Sequence, residues 1–494
     1  MSKSTIVKDK DFLNSVFSII TDYLESTQKG NNKVINFKKP EELKQLINFN
    51  LKEKETDNEL LNTIKLAIDY SVHIGHPNYY NTLFCGPNKY SLAGDYIAST
   101  LNGTMYTYEI APVFNLMEEA ISLILCDQLR WEKTNYDYMF TPGGSLANLY
   151  GVLLARHYKF PNLRNIGLSS LGKELALFTS ELGHYSIMKN AIVTGIGLDN
   201  VYKVKTDLEG RLIPSDLREK IEESIKKGKI PLMCNATIGT TVYGAIDPLK
   251  EIATICKEYN IWLHADGCFG GHLVFLSEYN DKLEGLKYFD SFVFDFHKVL
   301  EIPLQCSIVL TSHKGLFKEC NTMNANYLFM KDKVSYDSSL DKGDASIQCG
   351  RHIDVLKLWI YFKSLGLDGL IGKLRNTLKV TKYLCDKLKK NNRFELLIDP
   401  EYYNVSFHFF GELDQSNKDE EFWKKVHLLA PKVKAEMVSR GSMMIAYQYQ
   451  TQVDFKKPGY NFFRVVVLLD KTEKDMDFIV EEMKDIGKKL MTKF

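Results

Sequence analysis

The chain has 494 residues, 45% of them hydrophobic, which is enough for a sizeable core in two or three domains. Its 63 basic and 62 acidic residues leave a net charge of +1, which argues against general nucleic-acid binding because that needs a basic surface. The nine cysteines form no CxxC pair and no Cys/His cluster of zinc spacing. We therefore expect no metal site and a reducing, cytoplasmic compartment.

The N-terminal residues predict an amphipathic helix. Apolar side chains recur at helical spacing between Phe12 and Leu24, with polar residues between them. No run approaches the roughly 20 apolar residues of a membrane-spanning helix, so we expect no membrane span. We interpret residues 1–90 as an N-terminal helical segment that docks at a dimer interface.

Residues 91–365 predict a large α/β domain. Apolar strands alternate here with amphipathic helices, a pattern typical of a mainly parallel sheet covered by helices. The candidate strands are "ELALFTS", "IPLMCNAT", "IWLHAD", "SFVFDF" and "CSIVLT", and the candidate helices are "SLANLYGVLLARHYK", "IPSDLREKIEESIKKG" and "DPLKEIATICKEYN".

Two further segments complete the predicted organisation. Near the end of the large domain, "MKDKVSYDSSLDKGDAS" is polar and turn-rich, which predicts a long mobile loop of the kind that closes over active sites. Residues 366–494 mix helices with "YNVSFHFF" and "NFFRVVVLLD", which predicts a smaller C-terminal α+β domain.

The first motif that suggests chemistry is "TPGGSLANLYG", residues 141–151. Gly143 and Gly144, followed by Ser145, open a long predicted helix. Backbone N–H groups at a helix start, together with a hydroxyl, can bind an anion such as a phosphate. An ordinary serine helix cap explains the motif equally simply.

The second motif is "IWLHADGCFGGH", in which Asp266 ends an apolar strand and a glycine-rich turn follows. Open α/β sheets bind ligands at the carboxyl ends of their strands. A carboxylate at that place can hold a metal or a protonated nitrogen, or it can simply form the turn.

The third motif is "SFVFDFHKVL", in which Lys298 follows another apolar strand. Such a lysine can form a Schiff base if burial lowers its pKa and makes the amine nucleophilic. The alternative is a surface lysine just past the strand. Together, the three motifs supply an anion site, a carboxylate and a lysine, which are what pyridoxal phosphate requires.

The chain also resembles the group II pyridoxal-phosphate-dependent amino-acid decarboxylases, most of all the glutamate and cysteine sulfinate decarboxylases. The resemblance runs nearly end to end, through "HPNYYNTLFCG", "YTYEIAPVFNLMEEAI", "TPGGSLANLYG", "FTSELGHYSIMKNA", "NATIGTTVYGAIDPL", "HADGCFGG", "HKVLEIPLQCS", "ANYLF", "IQCGRHIDVLKLW", "GSMMIAYQ" and "NFFRVV". It implies a fold-type I, aspartate-aminotransferase-like enzyme with a seven-stranded sheet. It also implies a homodimer with active sites at the subunit interface and an amino acid as substrate.

The resemblance assigns the cofactor residues position by position. Lys298 would bind the cofactor covalently, and Asp266 would pair with its ring nitrogen. His184, in "SELGHYS", would stack on one face of the ring, and Cys268 would lie against the other. The remaining residues implied in cofactor binding are Gly144 and Ser145 at the phosphate, Thr241 beside Asp266, and Asp295 and His297 before Lys298.

The resemblance also assigns the substrate residues. Arg464, in "NFFRVV", would bind the α-carboxylate, and Tyr327, in "ANYLF", would reprotonate the substrate carbon from a mobile loop. Tyr336 is a second candidate for that tyrosine. The side-chain pocket would be formed by Asn81, Thr82, Thr104 and Tyr106.

The sequence departs from the family pattern at Asp295-Phe296, where relatives have Asn-Pro. An ionised Asp295 beside the cofactor's phosphate would repel it, so we expect Asp295 to be protonated or paired, or the phosphate to be held differently. Thr82 replaces a longer glutamine, and Tyr106 resembles the branch that acts on cysteine sulfinate and aspartate. We therefore predict decarboxylation of a short acidic amino acid, with glutamate also possible.

Other readings remain open at this point. The same cofactor supports oxidative deamination, transamination, or decarboxylation of a non-acidic amino acid. Aldehyde-forming relatives replace either the histidine or the loop tyrosine, and both are present here. A decarboxylase-like scaffold without activity is the third reading, which the retained Lys298, Asp266 and Arg464 disfavour.

Overall fold

A computed structural model of the protein describes residues 3–325, 327–330, 336–449 and 459–491. The helices are α1 (Lys3–Gln28), α2 (Pro40–Leu46), α3 (Asp57–Asp69), α4 (Lys89–Leu101), α5 (Pro112–Gln128), α6 (Gly144–Lys159), α7 (Leu163–Ile166), α8 (Ser186–Val193), α9 (Pro214–Lys226), α10 (Leu249–Glu258), α11 (Asn280–Leu283), α12 (Phe296–Val299), α13 (Leu316–Asn321), α14 (Asp354–Lys389), α15 (Glu420–Arg440) and α16 (Glu473–Met491). The strands are β1 (Tyr79–Tyr80), β2 (Asp137–Thr141), β3 (Leu175–Ser180), β4 (Val201–Val204), β5 (Ile230–Thr237), β6 (Trp262–Asp266), β7 (Ser291–Asp295), β8 (Ser307–Thr311), β9 (Phe394–Leu396), β10 (Asn404–Phe409), β11 (Met444–Tyr449) and β12 (Asn461–Val466).

The chain forms two compact units, and the larger one contains residues 87–378 and 400–404. Its seven-stranded sheet has the order β2-β8-β7-β6-β5-β3-β4. Strands β4, β3, β5, β6 and β7 pair in parallel, whereas β8 pairs antiparallel with both β7 and β2. The predicted α/β class with a mainly parallel, seven-stranded sheet is confirmed.

Burial on both faces explains why these segments form a covered sheet. Every residue of β2, β3, β6, β7 and β8 is buried. Such strands read in the sequence as continuous apolar runs rather than alternating patterns. The five strands and three helices predicted in this region all form, each with bounds close to the predicted ones.

Strand direction places the three motifs at one edge of this sheet. β6 and β7 run parallel, with Asp266 paired in register with Val293. β2 runs parallel to them because it is antiparallel to β8, which is antiparallel to β7. The carboxyl ends of β2, β6 and β7 therefore meet at the same edge, where α/β sheets bind their ligands.

The other compact unit contains residues 1–86, 379–399 and 405–494. Its five-stranded sheet has the order β1-β11-β12-β10-β9, in which β1 pairs parallel with β11 and β11 antiparallel with β12. An apolar cluster beneath this sheet includes Phe407, Phe463 and Met483. The predicted boundaries at residues 90 and 365 stay predictions, although this unit combines the first segment of the chain with the last.

Two further predicted segments are the N-terminal amphipathic helix and the mobile loop. The predicted N-terminal amphipathic helix lies within α1 (Lys3–Gln28). Of the predicted mobile loop, residues 331–335 lie outside the described residues, and short 3-10 turns follow at Ser338–Leu340 and Lys342–Ala345. None of the helices in the described part of the chain is both long and apolar enough to cross a membrane.

Candidate active site

The carboxyl ends of β6 and β7 bring the main predicted residues together. Asp266 is the last residue of β6 and Asp295 the last of β7, and the one-turn helix α12 then carries Lys298. The Lys298 Nζ atom lies 3.2 Å from Asp295 Oδ2, and its side chain is only 19% exposed. A buried lysine at the end of a sheet strand is therefore flanked by carboxylates.

Asp266 is a buried carboxylate held in its ionised form. Its Oδ2 atom accepts a hydrogen bond from Asn148 Nδ2 at 2.9 Å, and its Oδ1 atom accepts one from the Cys268 backbone N–H at 3.0 Å. Burial alone raises the pKa of a carboxyl group, but Lys298, the Cys268 hydrogen bonds and His184 hold the pKa of Asp266 below its ordinary value. Asp266 can therefore pair with a protonated ring nitrogen.

A hydrogen-bonded chain of buried side chains supports Asp266 from behind. The Asn148 Oδ1 atom lies 2.9 Å from His264 Nε2, and His264 Nδ1 lies 2.7 Å from Ser291 Oγ. Because an amide oxygen only accepts, His264 Nε2 donates to Asn148 Oδ1, and the neutral ring then accepts at Nδ1 from the Ser291 hydroxyl. Trp262 Nε1 donates to the same Ser291 Oγ at 2.8 Å. Burial lowers the pKa of His264 to about 4, which keeps the ring neutral.

Sequence reasoning missed Asn148 and His264, although a signal was present for each. His264 precedes Asp266 by two residues on a strand, so both side chains point to the same face of the sheet. Asn148 lies one helical turn after Ser145 in α6. A single turn of helix behind the predicted anion site thus supplies the partner of the predicted carboxylate.

The expectation that Lys298 has a depressed pKa is wrong. Burial lowers the pKa of its amine, but the negative charges of Asp295 and Asp266, with the hydrogen bond to Asp295, outweigh burial and raise that pKa above its ordinary value. The prediction considered desolvation alone, whereas two carboxylates lie at the same sheet edge. Lys298 is therefore held as an ammonium in this structure.

Asp295 is paired, which is one of the outcomes expected for it from the sequence. Besides Lys298, its Oδ2 atom has His297 Nε2 at 3.8 Å. The Asp295 side chain is 3% exposed, and its Oδ1 atom has no hydrogen-bond partner among the described residues. A buried carboxylate oxygen without a hydrogen-bond donor carries a cost in free energy.

The start of α6 forms a close-packed cradle beside these groups. Gly143 precedes the helix with a φ of 94°, a conformation that favours glycine. A Cβ atom on Gly144 would collide with Cys268 Sγ and lie 2.7 Å from Asp295 Oδ2, so only glycine fits there. Ser145, the next residue, is exposed at the first turn of the helix.

His184 lies half-buried within electrostatic reach of Asp266 and Lys298. The Ser186 backbone N–H donates to His184 Nδ1 at 3.2 Å, which leaves the proton of the neutral ring on Nε2. Burial lowers the pKa of His184, although the charge of Asp266 opposes this. A neutral imidazole is suited to stack against an aromatic ring.

These residues fit pyridoxal phosphate on the contacts that the structure shows. Asp266 offers an ionised carboxylate for the ring nitrogen, and Lys298 lies within its electrostatic field. Gly144 leaves its backbone bare at a helix start, which suits a phosphate group. The one unfavourable feature is the Asp295 carboxylate, which faces the same glycine.

Thr241, which is also predicted to lie near the cofactor, belongs to a segment that contacts Asp266 through the backbone. The Thr241 carbonyl accepts a hydrogen bond from Asn404 Nδ2 at 3.1 Å, in the turn that follows β5. In the same region, the Ile238 N–H donates to the Asp266 carbonyl at 2.9 Å. The segment that contains Thr241 thus contacts Asp266 through its backbone.

The two candidate loop tyrosines differ in their surroundings. Tyr327 is 83% exposed, and no hydrogen bond to its hydroxyl occurs within the described parts of the chain. The Tyr336 hydroxyl donates to Asp341 Oδ1 at 3.1 Å, and its ring lies 5.0 Å from that of Tyr108. Tyr327 therefore has the greater freedom to move, and its assignment stays a prediction.

Three of the predicted substrate residues, Arg464, Asn81 and Thr82, lie around Tyr79 in the unit that contains β11 and β12. Arg464, on β12, is 5% exposed, and its Nη2 atom donates to the Asn81 carbonyl at 3.0 Å. The Tyr79 hydroxyl lies 3.0 Å from Thr82 Oγ1. Burial lowers the pKa of Arg464 to about 10, so the guanidinium stays charged at neutral pH. The Asn81 Oδ1 atom accepts a hydrogen bond from Lys434 Nζ at 2.8 Å.

Thr104 and Tyr106 form part of a loop in the larger unit. The Arg351 backbone N–H donates to Thr104 Oγ1 at 3.1 Å, and the Gly343 N–H donates to the Tyr106 carbonyl at 2.9 Å. Arg351 is held in turn by a buried bidentate ion pair with Glu118, at 2.8 and 3.1 Å. Sequence reasoning did not select Arg351 or Glu118, yet they fix the predicted substrate loop.

Comparison with known proteins identifies the family. Residues 40–410 match the family described as the pyridoxal-dependent decarboxylase conserved domain. The chain is 40% identical to the acidic amino acid decarboxylase GADL1 of Xenopus tropicalis, over 97% of this chain and 93% of that protein. It is also 40% identical to human cysteine sulfinic acid decarboxylase, over 97% of this chain and 96% of that protein.

A solved structure agrees with these sequence relatives. The crystal structure of mouse CSAD superposes with a TM-score of 0.92 at 38% identity, over 97% of this chain and 99% of that one. Catharanthus roseus tryptophan decarboxylase, at 22% identity and a TM-score of 0.84, shares the fold. The fold and the site together define a fold-type I enzyme that uses pyridoxal phosphate. The chain belongs to the group II pyridoxal-phosphate-dependent amino-acid decarboxylases.

Proposed function

We propose that this enzyme decarboxylates a short acidic L-amino acid, cysteine sulfinate or aspartate, with glutamate as the poorer substrate. The observation that carries the proposal is the joint placement of ionised Asp266 and Lys298 beside the bare start of α6. The relatives named above, which act on acidic amino acids or on cysteine sulfinic acid by their names, support the substrate class.

Asp266, Lys298, His184 and Cys268, with Gly144 and Ser145, would hold the cofactor. When bound, pyridoxal phosphate withdraws electrons from the substrate's α-carbon, so that the bond to the carboxylate can break. The Asp266 carboxylate would keep a proton on the ring nitrogen, because its own pKa is lowered. The chain from Asn148 to His264 would keep that carboxylate aimed at the nitrogen.

Arg464 would bind the substrate's α-carboxylate. A buried guanidinium pairs strongly with carboxylates, and its planar geometry fixes their orientation. The Asn81 carbonyl holds Arg464, and Lys434 holds the Asn81 side chain, so these three groups form one hydrogen-bonded set. Thr82 and the Tyr106 phenol would line the side-chain end, where a tyrosine leaves room for a shorter acid.

Tyr327 would donate a proton to the substrate's α-carbon after carbon dioxide leaves. Its exposure in this structure means that a loop closure must bring it to the site, which would also exclude water. His184 would cover one face of the cofactor ring. The pairing of this histidine with a loop tyrosine favours the amine product over an aldehyde.

We also propose a cytoplasmic homodimer with active sites at the interface. Large apolar side chains are exposed on α4 and α5, among them Leu101 at 55% and Val113 at 56%. Exposed apolar surface of this kind marks a contact with another protein. A second copy of the chain would cover it.

A substrate screen tests the proposal. Purified enzyme with added pyridoxal phosphate is incubated with cysteine sulfinate, aspartate, cysteate, glutamate and aromatic amino acids, and carbon dioxide, amine and ammonia are measured. We expect carbon dioxide and amine in equal amounts, with the short acids fastest. Activity on aromatic amino acids alone would refute the substrate class, and ammonia with aldehyde would refute the reaction.

A variant tests the side-chain pocket. The Tyr106→Phe change removes one hydroxyl, so we expect the ratio of kcat/KM for glutamate to that for cysteine sulfinate to rise about tenfold. The matched control is Tyr158→Phe, at a 56% exposed tyrosine on α6. An unchanged ratio in Tyr106→Phe would remove Tyr106 from the pocket.

A further inference from the structure

The contacts of Asp295 point to a role beyond pairing with Lys298. Its carboxylate packs against Gly144, at the start of α6, where a Cβ atom would lie 2.7 Å from Oδ2 and 2.9 Å from Oδ1. The Oδ1 atom has no donor among the described residues, and Asp295 is 2% exposed. A negative charge thus occupies the side of the helix start at which the cofactor's phosphate would bind.

We propose that Asp295 couples cofactor binding to the uptake of one proton. Its carboxylate pairs with the Lys298 ammonium before the cofactor binds, and it becomes a neutral carboxylic acid once the phosphate occupies the start of α6. This inference rests on the proposed function, because it takes Lys298 and Gly144 as cofactor residues.

Charge balance at the site requires this proton. Before binding, the Asp295 carboxylate and the Lys298 ammonium, 3.2 Å apart, neutralise each other. The phosphate adds two negative charges beside a buried carboxylate that packs against Gly144 at the start of α6. Like charges at such short range in a buried site favour protonation of one of them.

The reaction of Lys298 itself does not change the proton count. The bond between its Nζ atom and the cofactor's aldehyde carbon forms as the aldehyde oxygen leaves as water. Two of the three ammonium protons leave in that water and the third stays on the nitrogen, so the positive charge is kept. Any proton taken up from solvent therefore belongs to another group.

Several titratable groups face Asp295. They are His297 and Lys298 on its own segment, Cys268 after β6, His184 before α8, and Cys306 before β8. Burial lowers the pKa of both histidines, so they are neutral above pH 7. Burial raises the pKa of both cysteines, so they stay protonated thiols. Asp295 is thus the group of this set that is able to gain a proton above pH 7.

The test compares two ligands and two variants of the full-length enzyme. Binding of pyridoxal phosphate and of pyridoxal, which lacks the phosphate, is measured by calorimetry between pH 7 and 9 in buffers of different ionisation enthalpy. The variants are Asp295→Asn, which keeps the shape without the charge, and Asp281→Asn at an exposed aspartate of α11 as the matched control.

We expect the wild-type enzyme and Asp281→Asn to take up about one proton more per pyridoxal phosphate than Asp295→Asn. The affinity of these two proteins for pyridoxal phosphate should also fall about tenfold more per unit rise in pH than the affinity of Asp295→Asn does. For pyridoxal, the three proteins should not differ in proton uptake, and binding of pyridoxal by the Asp295→Asn variant also shows that its site is folded.

Two results would overturn the inference. One is equal proton uptake by wild-type enzyme and Asp295→Asn, measured in proteins that bind pyridoxal phosphate. The other is equal loss of affinity for both ligands in Asp295→Asn, which would make Asp295 a counter-ion for Lys298 only. Failure of the proposed function is a separate outcome, seen as wild-type enzyme that binds pyridoxal phosphate without releasing carbon dioxide from any amino acid.

Discussion

The two compact units hold their buried lysines in opposite ways. In the larger unit, Lys298 lies beside Asp295 and Lys357 pairs with Asp95 and Asp354, and these carboxylates raise the pKa of both amines despite burial. In the other unit, Lys434 and Lys471 donate to neutral oxygen atoms.

For Lys434 and Lys471, burial has a larger effect on the pKa of the amine than any nearby charge does. Lys434 donates to Asn81 Oδ1 and the Ile445 carbonyl, and burial lowers its pKa to about 8. Lys471 donates to the His76 and Pro77 carbonyls, and burial lowers its pKa to about 8 as well. Basicity alone would therefore favour Lys434 or Lys471 as the cofactor ligand over Lys298, the lysine that we propose. What distinguishes Lys298 is its contact with Asp295, which packs against Gly144 at the start of α6, and its electrostatic interaction with Asp266.

The largest expected effect comes from removing Lys298. The change Lys298→Ala should abolish the absorption band of the covalently bound cofactor and lower kcat at least about a thousandfold, because the cofactor loses its covalent attachment. Absorption spectra and carbon dioxide release measure both effects. Lys257→Ala, at an exposed lysine of α10, is the control and should change neither. A covalent band that persists in Lys298→Ala would contradict the assignment.

Removal of Arg464 should separate substrate binding from cofactor binding. In Arg464→Met we expect KM for the amino acid to rise about a hundredfold, since a buried charged hydrogen bond to the α-carboxylate is lost. The affinity for pyridoxal phosphate should stay within about twofold of wild type. Arg375→Met, at an exposed arginine paired with Glu278, is the control. A parallel loss of cofactor affinity would mean that Arg464 acts on the fold instead.

Substitutions at Asn148 and at its neighbour Ser186 should have smaller effects, of two different sizes, on the cofactor affinity of the larger unit. Asn148→Ala removes the hydrogen bond to Asp266 Oδ2, so we expect the cofactor affinity to fall about ten- to a hundredfold. Ser186→Ala removes only the hydroxyl that accepts from Asn148 Nδ2, so its effect should be less than about tenfold. Fluorescence titration with pyridoxal phosphate measures both. Equal effects of the two variants would contradict the positioning role of Asn148.

The smallest effect concerns Lys434 and pH. Its pKa of about 8 in the folded state lies below the roughly 10.4 of an unfolded lysine, so the unfolded chain binds more protons between these values. The free energy of unfolding should then rise between pH 8 and 10, by about 1–2 kcal/mol since the side chain is partly exposed. In Lys434→Met the rise should be smaller by this amount, and the part that remains belongs to other groups such as Lys471, whose pKa is also lowered to about 8. Urea unfolding at pH 7.5 and 9.5 measures it, and equal slopes in both proteins would refute the lowered pKa.

The sequence predicted the parts of the fold that depend on local pattern. Fully buried strands such as β6 and β7 appear as apolar runs, and helices such as α6 and α10 appear through their periodicity. The short edge strand β4, with an exposed and a partly exposed residue among its four, gave no such signal. Its place in the sheet comes from pairing with β3, which is a long-range contact.

The residues that we propose for the site could be chosen from the sequence, but their electrostatics could not be predicted from it. Lys298 and Asp266 could be chosen from motif order and family resemblance. The raised pKa of Lys298 depends on the 3.2 Å contact with Asp295 Oδ2, which no spacing in the sequence reveals. The Asn148–His264 chain was missed for the same reason, because it joins α6 to β6 across 116 residues of sequence.

The most direct test of the account is to find which lysine binds the cofactor. The enzyme is loaded with pyridoxal phosphate, the lysine–cofactor bond is reduced with borohydride, and labelled peptides are identified by mass spectrometry. We predict that the label lies on Lys298 although its amine is the more basic, because Asp266 and the start of α6 hold the cofactor there. A label on Lys434 or Lys471, whose pKa values are lowered to about 8, would contradict the account.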